Sequence, residues 1–501
     1  MTTRRRAIRA GRALAQVGAA ALVVGGVVWA AEQPPVSDRI DAVDIARAAP
    51  EARHLQSTTV ALEQAVRACA GPELLGLAGA RDLGLPTSAT VVSAPPAALG
   101  DSPAPRGAPG LAIALPDPDR DTAGPQSQAG SVTEELTSPT SYLALGAGAA
   151  APGLVATQET RASTEEVAGL GTVPCQIATP EAWILGGGAG AGHAERIVLS
   201  NPASNAVTVD IRAFGADGPS DPPAGQGVVV PGQGRVVLLG DALMPDEASP
   251  VFAITAHGGD VAAALIETVI EGTRPVGFDV VGASTPPAEE QIIPGVLQSQ
   301  GEDGVVTVRI ANPGDVEAIA TISHLAEDGE IALPEGVARV PAGSVTDVPV
   351  TALPPGVTTL RVTADSPVVA AARTVVDDGG ADSLWAVSPP AVTELAGAAL
   401  PPAQDINRRL VISSWGGAST VEVIEVGDGT ATTSQMPVSD GGTVVVAAGG
   451  DGIWIRPVSG SGALFGAVVS VGTGVEATEV SSMPLITAPT SARRSEVVAL
   501  P

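Results

Sequence analysis

The feature that most restricts this chain is that it repeats itself. Leu199-Ser-Asn201-Pro202 returns as Ile310-Ala-Asn312-Pro313, and Ala216-Asp217-Gly218 returns as Glu327-Asp328-Gly329. Val230-Pro231 returns as Val340-Pro341, Ile254-Thr-Ala256 as Val362-Thr-Ala364, and Val261-Ala-Ala-Ala264 as Val368-Val-Ala-Ala371. Five landmarks in one order are the mark of a repeated structural unit. A third, eroded copy follows with Leu410-Val-Ile-Ser413, Gly427-Asp428-Gly429, Thr443-Val-Val-Val446 and Ile453-Trp-Ile455. Each landmark has a local physical role. Asn-Pro stops a strand ladder, since proline cannot donate and biases the preceding residue away from helix. Asp-Gly supplies a tight hairpin, and Val-Pro ends an edge strand.

Between the landmarks run short β-branched stretches such as Arg196-Ile-Val-Leu199, Val207-Thr-Val-Asp-Ile-Arg212 and Arg235-Val-Val-Leu-Leu239. They predict an all-β protein with seven or eight short strands per copy. That count favours tandem immunoglobulin-like β-sandwich repeats. A β-propeller is the alternative, though its blades usually take only about 40–50 residues. The division expected is residues 183–290, 291–400 and 401–487 for the three copies, with a partial β unit at 136–182 and a tail at 488–501. Residues 52–75 read as locally helical, from Leu55, Val60, Leu62 and Val66. They belong to a stem and linker over 32–135, rich in Pro, Ala, Gly and Ser, with short strands at Ala89 to Val92 and Leu111 to Leu115. With almost no aromatics in the copies, neighbours are expected to pack through Gly277 to Gly282 and Ser383 to Val387, which carry Phe278 and Trp385.

The order of landmarks resembles domain-of-unknown-function family 5719. A strand ends in Asn-Pro, a valine strand and Val-Pro follow, and an apolar strand leads to Val-x-Ala-Ala. The resemblance runs from about Ala68 to Ser482 and takes in Cys69-Ala-Gly-Pro72, Pro174-Cys175 and Trp183-Ile-Leu-Gly-Gly187. It implies an exported β-repeat protein of an actinobacterial envelope, and no catalytic residue to carry over. The third copy departs from the pattern, with Ser414-Trp415-Gly416 in place of Asn-Pro.

The amino terminus points to export. Arg4, Arg5, Arg6, Arg9 and Arg12 precede Ala13 to Ala31, an uncharged stretch of membrane-spanning length (1–31 together). The positive-inside rule leaves the arginines in the cytoplasm and the body outside. A retained signal-anchor fits the length, and cleavage after Val28-Trp29-Ala30 is the alternative. The body then carries 54 acids against 21 arginines and no lysine, which excludes nucleic acid as a partner. Cys69 and Cys175 suit one disulfide in an oxidising compartment, with two separate buried thiols as the other reading.

Chemistry is sparse. His54, His193, His257 and His324 fall in four segments without a metal-ligand or nucleophile motif. No catalytic residue, metal site or cofactor is expected. Gly186-Gly-Gly188-Ala-Gly190-Ala-Gly192 lacks the following helix of a phosphate loop and reads as a mobile hairpin loop. Asp117-Pro-Asp119-Arg-Asp121 is a poor calcium loop, with Thr122 where glycine belongs. Glu289-Glu290 and Asp377-Asp378 read as loop acids. Trp183, Trp385, Trp415 and Trp454 are candidate interface or binding residues, either core plugs or a sugar platform. The expectation is a non-catalytic, membrane-tethered extracytoplasmic scaffold or interaction module whose partner is an envelope protein or glycan. A secreted glycan-binding protein and a hydrolase are the alternatives.

Overall fold

Short β-branched runs between turn residues become antiparallel strands throughout the computed structural model, which describes residues 55–75, 82–115, 130–164, 166–299, 305–377, 381–472 and 479–497. Helix among them is confined to single turns such as Pro96–Leu99 and Gly240–Leu243. Residues 59–492 form one compact unit, and the described residues 55–58 and 493–497 belong to another. Strands Leu55–Ala61 and Ser491–Val497 pair with each other.

The larger unit holds one arrangement four times. In each copy a four-stranded sheet runs second, first, third, fourth in chain order. In the first copy these strands are Ser131–Glu135, Thr87–Val92, Val155–Ser163 and Ala168–Pro174. In the second they are Arg235–Leu239, His193–Ser200, Ala262–Glu271 and Arg274–Gly282. In the fourth they are Thr443–Ala448, Ile406–Trp415, Ala463–Gly472 and Val480–Pro484. The third copy uses Val345–Val350, Val305–Ala311, the end of the long strand Gly356–Asp377, and Ala381–Val387. The beginning of that long strand pairs with Ala288–Gln298 and Ala318–Leu325 in the facing sheet.

Between each copy's two sheets lies a thin aliphatic core. It contains Leu199, Ile211 and Ile254 in the second copy, Ile310, Ile322 and Val362 in the third, and Leu410, Val423 and Ile455 in the fourth. The first copy's core adds the Cys69–Cys175 disulfide, with Cα atoms 4.2 Å apart.

The Asn-Pro landmarks do more than end a ladder. Asn201 Nδ2 donates to the carbonyls of Asn205 and Val230, and its Oδ1 accepts from the Ala203 N–H. Asn312 repeats this with Val316, Val340 and Gly314. Both are completely buried. The backbone bond beneath the corner recurs in every copy, from the N–H groups of Ser93, Asn201, Asn312 and Ser414 to Gly130, Gly234, Ser344 and Gly442.

Four expectations need correction. Residues 55–69 form two strands rather than a helix, because Val66 and its neighbours alternate as partners of Tyr142–Ala147. The stretch expected as linker, with the partial unit after it, is a complete first copy, so there are four copies and not three. Its landmarks are hard to see because Ser93 stands at the Asn corner. The glycine-rich loop is no hairpin: Glu181–Leu185 and His193–Ser200 lie in different sheets. Glu289 and Glu290 sit on a strand, where Glu290 pairs with Arg361 at 2.8 Å.

The arginine-rich tip, the apolar stretch 13–31, His54, Asp117 to Asp121 and Asp378 lie outside the described residues. Among the described residues no helix is long and apolar enough to cross a membrane.

The last strand of each four-stranded sheet is an edge strand, and the four pack together in a closed ring. At its centre lies the carboxylate of Asp382. Its oxygens accept from the backbone N–H groups of Leu170, Phe278, Ser383 and Val480, one on each inner strand, at 2.8–3.1 Å. Asp279 accepts from Val280 and Trp385, and Ser481 meets Thr172. Gly171 makes this approach possible, since a Cβ there would stand 2.8 Å from both Phe278 and Val280 side chains. Complete burial pushes both aspartates well above the usual carboxyl range, against the N–H donors that favour their charged forms.

Candidate functional site

Among the described residues, the strand register brings together three side chains, His193, Glu195 and Glu267, that could hold a metal ion. Glu195 and Glu267 are direct cross-strand partners, and His193 lies two residues before Glu195 on the same face. One ligand-type atom from each lies within 4.8 Å of the others. Glu195 is 5% and Glu267 1% exposed, while His193 is partly open to solvent.

Each carboxylate has one oxygen occupied. Glu195 Oε1 accepts from the Gly188 N–H at 2.9 Å. Glu267 Oε2 accepts from the Trp385 indole N–H at 2.7 Å. Glu267 Oε1 and His193 Nδ1 have no hydrogen-bond partner and face each other at 3.8 Å. Arg373 Nη2 stands 3.8 Å from the same Glu267 oxygen. The guanidinium of Arg309, held by Asp347, lies 4.8 Å over the Trp385 ring. The second copy thus supplies the ligand-type atoms and the third supplies Trp385, Arg309 and Arg373 around them.

The glycine-rich crossover wraps this cluster. Gly187 has φ +79°, and a Cβ there would come 2.6 Å from Glu195 Cγ. Gly187 therefore lets the chain close over the buried Glu195 carboxylate. Burial pushes the Glu195 carboxyl up to about 7; the Gly188 bond opposes this, and the charges of Glu267 and Asp241 add to it. Burial lowers His193, with Glu267 pulling the other way. One imidazole nitrogen and two carboxylates make a donor set suited to a divalent transition metal.

The sequence-selected residues are placed apart from one another. Trp183 is buried, stacked on Phe214 at 5.7 Å, and donates to Glu181. Trp454 is fully buried and donates to the Gly153 carbonyl. Trp415 is half-buried, with the Arg361 guanidinium 3.7 Å over its ring. Of the four tryptophans, Trp385 is the one brought to the cluster. Its segment 383–387 packs against 277–282, where its N–H reaches Asp279. His257 is exposed and bonds Asp210 at 3.1 Å, and His324 is buried on a strand.

The model of DUF5719, a family of unknown function, matches residues 130–449. The chain belongs to that family. The DUF5719 match takes in the second and third copies whole, with both asparagine corners and the His193–Glu195–Glu267 cluster. It ends inside the fourth copy, whose corner residue is Ser414. No curated protein and no solved structure matches the chain.

Of the three members only His193 stands out in the sequence, as one of four scattered histidines. His193-Ala-Glu195 on a strand, directly after a glycine run, was the available signal. Glu267 had none, since only the pairing of two strands brings it opposite Glu195.

Proposed function

We propose that this protein is a non-catalytic scaffold of the extracytoplasmic face, tethered by the apolar stretch 13–31, with immunoglobulin-like sandwiches as its repeating unit. The observation that carries the reading is the convergence of four edge strands on Asp382. Copies joined through a buried polar centre keep fixed mutual positions, which is what a spacer or presenting platform requires. The immunoglobulin-like reading rests on the two facing antiparallel sheets of each copy, although their strands change sheet at most connections. The Cys69–Cys175 disulfide supports an oxidising compartment. The partner is an envelope protein or a glycan; of the four tryptophans a glycan could stack on, only Trp415 keeps exposure, and Arg361 covers it.

The test is fractionation of native cells with protease added from outside. The expected result is a membrane-associated chain, digested from the outer side, with its cysteines oxidised. A chain in the cytosolic fraction with both thiols free would overturn the proposal.

A further inference from the structure

We propose that His193, Glu195 and Glu267 bind a divalent transition-metal ion of the zinc class at the joint between the second and third copies. The cluster combines features that a chance gathering of acids lacks. It offers an imidazole nitrogen together with two carboxylates, both of them ligand types that zinc accepts. A hard cation such as calcium would ask for six to eight oxygens.

The second feature is what has been left free. Glu267 is 1% exposed, yet its Oε1 has no hydrogen-bond partner, and neither has His193 Nδ1 facing it. Buried polar atoms of this kind are costly unless something satisfies them. The other oxygen of Glu267 is already anchored by the Trp385 indole, and Glu195 Oε1 by the Gly188 N–H. Such outer partners are how metal-ligating groups are normally oriented.

The geometry is close to what an ion needs. Bonds of about 2.0–2.1 Å in a tetrahedron place ligand atoms about 3.4 Å apart. His193 Nδ1 and Glu267 Oε1 stand at 3.8 Å. The widest separation, within 4.8 Å, has to close by up to about 1.4 Å to reach that tetrahedral spacing. His193 is partly exposed as a residue, while its Nδ1 is buried beside Glu267 Oε1. Arg373 is the resident competitor: its guanidinium sits 3.8 Å from the free Glu267 oxygen, and its own Nε is unpartnered. Entry of an ion displaces it from Glu267.

The experiment is equilibrium dialysis of the full-length chain, stripped with a chelator, against Zn2+, with Co2+ as a spectroscopic substitute. One ion per chain is expected. His193→Ala and Glu267→Gln should each weaken binding by about 10-fold or more, and His193→Ala should abolish the visible Co2+ bands. Arg373→Gln should tighten binding, because it removes a like charge from the site. His193→Ala alone, at a partly exposed position, carries the test if Glu267→Gln disturbs folding. Absence of Zn2+ uptake, or equal uptake by wild type and His193→Ala, would overturn the proposal.

Discussion

Asn201 and Asn312 make the same set of side-chain bonds in two copies, whereas the four inner strands that meet at Asp382 carry different side chains where they meet. The corner is a local problem, posed again in each copy. A turn of a few residues must be tied to the end of a strand about thirty residues on, and one buried asparagine does it. The centre is posed once for the whole molecule. Four aspartates there would bury four charges together, so one strand brings Asp382, another Asp279, a third Ser481, and the first brings Gly169 and Gly171 to leave room. Repetition thus belongs to each copy's interior, and divergence to the place where copies join.

The sharpest way to break this contrast is Asp382→Ala. It leaves four buried N–H groups on four strands without an acceptor, at about 1–2 kcal/mol each after partial relaxation. A loss on the order of 4–8 kcal/mol is expected in denaturant unfolding, with the copies losing cooperativity. A transition superimposable on wild type would mean that the centre does not join them.

Next in size is the disulfide, which ties strand Gln64–Cys69 to the end of the first inner strand. Cys69→Ala should cost about 2–5 kcal/mol. Differential scanning calorimetry of oxidised and reduced protein checks it, and identical melting temperatures would contradict it.

The buried acids predict a pH effect of opposite sign to the usual carboxylate. Because burial raises Asp279 and Asp382, the folded state holds protons that the unfolded chain releases near 3.8. The contribution of these two acids to stability is therefore greatest below that value and falls as pH rises toward their folded pKa values. Each acid contributes at most about 1.4 kcal/mol per pH unit in that window. Asp279→Asn should flatten the curve of stability against pH; a wild-type slope in the variant would remove Asp279 as its source.

The corners should give the smallest effect and the most uniform one. Asn201→Ala and Asn312→Ala each leave one buried carbonyl, of Val230 or Val340, and two partly buried backbone groups without their partner, for about 1–3 kcal/mol apiece. Matching losses would support a repeated solution. A large loss in one copy and none in the other would show that the shared sequence does not mean shared energetics.

Much of the copy architecture was legible from the landmarks. Asp-Gly closes hairpins at Gly215 to Gly218, Leu325 to Glu330 and Gly427 to Thr430, and Val-Pro ends strands at Val230 and Val340. These features depend on a residue and its near neighbours, so the chain states them locally. The first copy was hidden because its strands are short, its corner is Ser93, and its core leans on small residues such as Ala89, Ala144 and Ala156. The apparent helix at residues 52–75 shows the same limit: spaced apolar residues cannot say whether a partner strand stands beside them.

The amino-acid sequence by itself determined an all-β chain, its turns and its repeated corners. Each of these follows from backbone preference or from contacts within one copy. Tertiary structure decided that there are four copies, that their edge strands close around Asp382, and that His193 and Glu195 meet Glu267 beneath Trp385. Those outcomes depend on strand register and on contacts between copies. Register is set by which faces can be buried together, a property of the assembled sheets that no single segment carries.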